Sequence, residues 1–244
     1  MFRLMRSLHN YLGLILGIQI GLWFISGFVM AYLPIEEVRG NHLKTSPQTS
    51  WHLAATSPSS VLHSYGKDAS LSFSQRVIVD SRSGENDALS SIPVYQITND
   101  GSTYRYNAQT GELLSALDED AIAALATHQY QGDGNVVTTA LIDELPQEVQ
   151  NLTAPLWQVQ FDDELETRFY LDPNTGSVMR VRTNTWRLFD FMWMLHIMDY
   201  KDRSNFNSPL LLTFSGSAVL FTLTGLILLY QRFRPRRNRS IFRR

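Results

Sequence analysis

The chain has 244 residues, a formal net charge of −2 and no cysteine, which excludes disulfides, zinc–thiolate sites, iron–sulfur clusters and redox dithiols. The small net charge conceals a partition. All 23 acidic residues lie in Glu36–Arg203 with 12 basic ones, a net of −11, while the two ends carry nine basic residues and no acid; so acidic a middle repels phosphate and excludes nucleic acid as a partner.

Residues 1–7 form a short basic N-terminus containing Arg3 and Arg6. From Ser7 to Ile35 no residue is charged, and this run exceeds the roughly 20 residues a helix needs to cross a bilayer. A transmembrane helix is expected over 8–33, ended by Pro34, which cannot continue it. A cleaved signal peptide is the alternative, with Val29-Met30-Ala31 as its cleavage triplet. The apolar run is longer than the roughly 7–15 residues of such segments, so retention is expected. Gly13, Gly17 and Gly21 recur every four residues, a spacing that lets a second helix approach closely or leaves room for a flat cofactor.

Residues 34–60 are rich in Ser, Thr, Pro and Gln and read as a linker. A first module follows over 61–117, with alternation in Ser72–Asp80 predicting a strand. A second module is expected over 118–183, opened by a helix that Asp118 caps and that buries Ile122 and Leu125. The two contain an internal repeat. Pro93-Val94-Tyr95-Gln96-Ile97, the turn Asn99-Asp100-Gly101, Tyr104-Arg105-Tyr106 and Asn107–Leu113 form one copy. Pro155-Leu156-Trp157-Gln158-Val159, Asp162-Asp163, Arg168–Leu171 and Asp172–Val178 form the other. Each reads strand, turn, strand, tight turn, strand. Asx residues open the turns, and Gly111 and Gly176 close them with a positive φ.

Trp186, Phe189, Trp193 and His196 then recur at helical spacing with Tyr200 a turn on. They predict an amphipathic interfacial helix over 184–203. Ser204–Gln231 is again free of charge and predicts a second transmembrane helix over 207–231, with Pro209 in its first turn. A surface of small residues includes Thr224 and Gly225. Residues 232–244 form a basic tail suited to anionic headgroups. Basic flanks at both ends place both termini in the cytoplasm and Glu36–Arg203 outside.

The segment Leu8-His9-Asn10-Tyr11-Leu12-Gly13, the duplicated Thr-Gly turns and Met194-Leu195-His196 before the last span together resemble the PepSY-associated transmembrane family. The resemblance covers nearly the whole chain. It implies a bacterial inner-membrane protein with two transmembrane α-helices flanking an external α+β region of two PepSY-like modules, each an antiparallel sheet plus a helix, facing the periplasm. Transmembrane relatives include haem-containing, iron-regulated siderophore reductases, which usually have four spans. Two copies of this two-span chain would rebuild such a core.

His9 and His196 are the candidate cofactor-binding residues, as ligands to the iron of haem b. An ionisable group at membrane depth points to function by default, and imidazole is a common axial ligand of haem iron. The bland alternatives are a headgroup-level histidine at 9 and a satisfied core histidine at 196. The two lie at opposite ends of the span, so they cannot share an iron. Met192, one turn from His196, cannot reach the opposite face of the same haem. A homodimer or a partner membrane protein would supply the second ligands. His42, His52, His63 and His128 lack comparable surroundings, and no hydrolytic motif or phosphate-cradling loop is present. Asp162, Asp163, Glu164 and Glu166 read as a solvated acidic turn.

Three functions remain: electron transfer across the membrane to an external acceptor such as an iron chelate or partner protein; a non-catalytic tethered module that binds or restrains an external protein or peptidase; and an accessory subunit of a larger reductase.

Overall fold

The computed structural model describes residues 2–80 and 88–234. The chain divides into two units, one joining residues 1–33 to 189–244 and the other spanning Pro34–Leu188.

The first unit is built on two long helices, α1 (Phe2–Tyr32) and α6 (Pro209–Phe233). At about 1.5 Å per residue they extend roughly 46 Å and 37 Å, each enough to cross a bilayer core of about 30 Å. They pack against one another and bury Leu16, Ser26 and Thr224. Leu14, Ile18 and Phe28 on α1, and Leu212, Leu220 and Leu229 on α6, stay exposed. Contiguous apolar surface of this kind requires an apolar surround. Helix α1 starts at Phe2 rather than at Leu8. Arg3 and Arg6 do not interrupt it, because their long stems carry the charge away from the helix body. Ser208 caps α6, its hydroxyl accepting from Leu211 N–H at 3.1 Å, with Pro209 at the first helical position. The basic tail beyond Arg234 lies outside the described residues.

The second unit contains two short helices, α2 (Ile35–Val38) and α3 (Pro58–Leu62), and two antiparallel sheets separated by α4 (Glu119–Gln129). Strands β1 (Ser70–Asp80), β2 (Ala88–Asn99) and β3 (Ser102–Asn107) form the first sheet in that order. Asp100 and Gly101 both take positive φ, 50° and 76°, which lets a two-residue turn join β2 to β3. The third strand expected in the first repeat copy does not form; a single bridge pairs Tyr106 with Leu113. Strands β4 (Val136–Ile142), β5 (Leu156–Phe161), β6 (Arg168–Leu171) and β7 (Val178–Arg182) make the second sheet. Here the copy is complete, and the difference is one of burial. Val178 and Val181 reach the core while Leu113 is 60 % exposed, so nothing rewards extending that segment.

Asp118 caps α4 by accepting from Ala121 N–H at 2.9 Å. Its buried face, Ile122 and Ala126, joins Val159, Phe161, Phe169, Leu171 and Val181 in the larger core. Gly111 and Gly176 have φ of 80° and 67°.

The segment expected to be a linker is docked. Leu43 is buried in the α4–second-sheet core, Thr45 N–H donates to Gln129 O at 2.8 Å, and Gln131 N–H donates to Leu43 O at 3.0 Å. Further on, Thr56 N–H donates to Ala108 O at 2.9 Å. Polar composition conceals this, because the attachment uses backbone groups and one leucine.

The helix predicted over 184–203 is shorter. Helix α5 covers Asn184–Ile197 and leaves Tyr200 outside. Met198 turns to a φ of 53°. The Asp199 carboxylate then collects the backbone N–H groups of Lys201, Asp202, Ser204 and Asn205. Local side-chain acceptors of this kind compete with helical hydrogen bonds and end the helix.

Candidate functional site: two imidazoles in the apolar unit

His9 lies where α1 packs against the middle of α6. Its ring stacks on Phe221 with centroids 4.2 Å apart and planes 4° from parallel. Gly225 makes the approach possible, since a Cβ there would stand 3.0 Å from His9 Cε1. The ring nitrogen Nδ1 is 3.2 Å from Phe221 O and 3.0 Å from Thr224 Oγ1. Thr224 gives its own proton to Phe221 O at 2.8 Å. Phe221 O can only accept, so Nδ1 is placed to donate toward it, and Nε2 lies on the other side of the ring.

His196, in the last turn of α5, shows the same pattern with different partners. Its Nδ1 is 3.1 Å from Ser26 Oγ, and that hydroxyl donates to Leu22 O at 2.7 Å. Ser26 is then placed to accept from His196 Nδ1, with Nε2 on the other side of the ring. Trp23 Nε1 donates to the His196 carbonyl at 2.8 Å, satisfying one of the carbonyls that a helix end leaves open. Gly27 lies under the ring, where a Cβ would meet Cε1 at 3.4 Å. The ring lines an apolar cavity of about 510 Å³ with Trp23, Phe24, Trp193 and Phe206. Neither Nε2 has a hydrogen-bond partner among the described residues.

The two rings do not meet. Ser26, which holds His196, lies roughly 25 Å along α1 from His9 at the helical rise per residue. Among the described residues no group of three or more His, Asp or Glu side chains could hold a bare metal ion. Each imidazole therefore stands as a single donor rather than as part of a cluster. In both cases the far nitrogen is tied to an oxygen, the arrangement that orients metal-ligating histidines.

His52 bonds Ser50 Oγ at 2.5 Å, and His128 contacts Ala124 O one helical turn back at 2.8 Å. His42 and His63 are exposed. In the acidic turn, Asp163 accepts from Thr167 N–H and hydroxyl, and Asp162 accepts from Asn135 N–H, so those carboxylates brace the loop.

The family of the PepSY-associated TM region matches this sequence over residues 6–244, a span that includes both helices and both histidines. The chain belongs to that family. No curated protein and no solved structure matches this PepSY-associated chain. Ser26, Gly27 and Phe221 did not stand out in the sequence of this PepSY-associated protein. A lone serine or glycine in an apolar run is ordinary there, and only the pairing of helices reveals what each one touches.

Proposed function

We propose that this PepSY-associated protein sits in the bacterial inner membrane with both termini cytoplasmic and Glu36–Arg203 periplasmic. In this reading its two sheets belong to two PepSY-like modules, and it binds haem b and passes electrons across the membrane to an external acceptor, an iron chelate or a partner protein. The role is that of the iron-regulated siderophore reductases it resembles. One observation supports the reading: two histidines in the apolar unit, far apart along α1, each with Nδ1 held by an oxygen and Nε2 without a partner among the described residues.

Bound haem supplies one-electron redox chemistry, and His9 and His196 would each hold one iron through Nε2. Thr224 and Phe221 keep the proton on the far side of His9, and Ser26 does so for His196. Gly225 and Gly27 keep side chains away from the ring faces. Trp23, Trp193 and Phe206 keep the surroundings of His196 apolar. Another copy in a two-fold homodimer, or a partner membrane protein, would supply any further protein ligand.

The test is haem per chain and the redox-sensitive Soret band in protein purified from haem-replete cells. Wild type is expected to be coloured, and His9→Ala and His196→Ala are each expected to lose about half the haem, since the two sites are too far apart to compensate for one another. A colourless wild type, or two variants with full haem, removes the electron-transfer reading. A tethered pair of modules that binds or restrains an external protein then takes its place.

A further inference from the structure

In the second unit, Gly40 lies on strand β7 with a φ of 68°, and a Cβ built there would come within 2.5 Å of Val181 Cγ1. Only glycine permits this contact. It brings Arg39 and Lys44 alongside Arg180 and Arg182 around a cavity of about 390 Å³ that Asn41 and Trp186 also line. Among the described residues that line it, four are cations and none is a carboxylate. In Glu36–Arg203 acids outnumber bases by 23 to 12, so composition does not account for the cluster.

Backbone carbonyls and one aromatic ring hold most of these cations. Lys44 Nζ donates to Val178 O at 3.2 Å, and Arg180 donates to Met179 O at 2.7 Å. Arg182 donates to the carbonyls of Glu148 and Val181, and its guanidinium lies 4.1 Å over the Trp186 ring. The exposed carboxylate of Glu36 takes Arg39 at 3.6 Å and Asn41 at 2.6 Å. Such a surface pair is heavily screened by solvent. Burial first, and then the charge of Arg180, pulls the Lys44 ammonium below its ordinary value. Holding Lys44 in this place beside Arg180 therefore costs free energy, and an anion would offset that cost.

We propose that this cavity binds a phosphate group, with the Arg39 and Arg180 guanidinium groups and the Lys44 ammonium as its donors. Guanidinium forks match phosphate oxygens in pairs, and charge-assisted bonds of this type are the strong ones. The group belongs either to a lipid headgroup or to a soluble phosphate. Along the chain, Arg39 follows the end of α1 by a few residues and Trp186 lies in the first turn of α5. The site does not depend on the histidines of the first unit or on haem.

The test uses the full chain in neutral detergent, labelled with fluorotryptophan, with the Trp186 fluorine resonance assigned through Trp186→Phe. A water-soluble short-chain phosphatidylglycerol and inorganic phosphate are titrated separately at constant ionic strength. Reading at Trp186 separates this cavity from the basic tail. The expected result is a saturable shift whose midpoint weakens about tenfold or more in Arg180→Gln and in Lys44→Gln, the loss of one charge-assisted bond. Saturation by the lipid alone assigns a membrane headgroup, and saturation by both assigns a phosphate that soluble ligands can carry. Arg39→Gln, at an exposed position, is a third variant that leaves the sheet intact and should also weaken binding. An unmoved Trp186 resonance with both probes, or unchanged midpoints in folded variants, overturns the proposal.

Discussion

Three glycines share a left-handed backbone and differ in what surrounds them, which allows strain and packing to be measured separately. Gly101, Gly111 and Gly176 have φ of 76°, 80° and 67°. A Cβ on Gly101 would meet nothing within 4 Å, one on Gly111 would meet Thr56 Cγ2 at 3.3 Å, and one on Gly176 would meet Leu125 Cδ1 at 2.6 Å and Leu117 Cδ1 at 3.1 Å. Replacement by alanine costs each about 1 kcal/mol of backbone strain. At Gly176 the methyl group must also displace Leu125, which is 3 % exposed, and such overpacking adds about 1–3 kcal/mol. For a domain of this size about 1 kcal/mol moves the melting temperature by about 2–4 °C. Gly101→Ala should therefore lower it by about 2–4 °C, Gly111→Ala by slightly more, and Gly176→Ala by roughly 5–15 °C. The assay is loss of sheet circular dichroism on heating the full chain in neutral detergent. Three equal shifts, or a larger effect at Gly101 than at Gly176, would refute the argument that the α4 contact decides the order.

If the hydroxyl of Ser26 sets the proton position on His196, Ser26→Ala should weaken haem retention at that site about tenfold or more, as outer-shell changes do; unchanged retention with normal folding would show that the ring needs no such partner. Thr224→Val should have a smaller effect at His9, because Phe221 O remains to accept from Nδ1, and pyridine haemochrome assays on both variants make the comparison. Protease added to intact spheroplasts should cut within Glu36–Arg203 and spare a C-terminal tag, whereas external loss of the tag would invert the proposed orientation. The backbone N–H of Asn205, followed by those of Ser204, Asp202 and Lys201, holds the Asp199 carboxyl below its ordinary value. A depressed carboxyl contributes order above its unfolded value of about 3.9 and loses it as pH falls through the folded one; amide protection at Ser204 and Asn205, taken relative to the intrinsic exchange rate, should fall in that acid range, and Asp199→Ala should abolish that acid-dependent loss.

The spans were legible because a charge-free run of this length has few other uses, and the turns because Asp172 and Gly176 have local conformational preferences. The cap at Asp118 was legible for the same reason. Features that depend on distant partners were not. The segment after Pro34 looked like a tether until Leu43 and Gly40 found their places against residues far along the chain. The third strand of the first repeat was predicted from its likeness to the second, although only the second has valines with a core to enter. At the candidate site the two histidines could be named from sequence, since an ionisable group beside apolar runs stands out. Their orientation could not, because it is set by Ser26 and Thr224 on other helices.

The hydrogen bonds at His196 run in one direction, from ring to Ser26 and from Ser26 to Leu22 O. The carbonyl at the end has no hydrogen to return, so the chain cannot reverse its polarity. The orientation of the imidazole and the packing of the last turn of α5 on α1 therefore depend on one and the same hydroxyl.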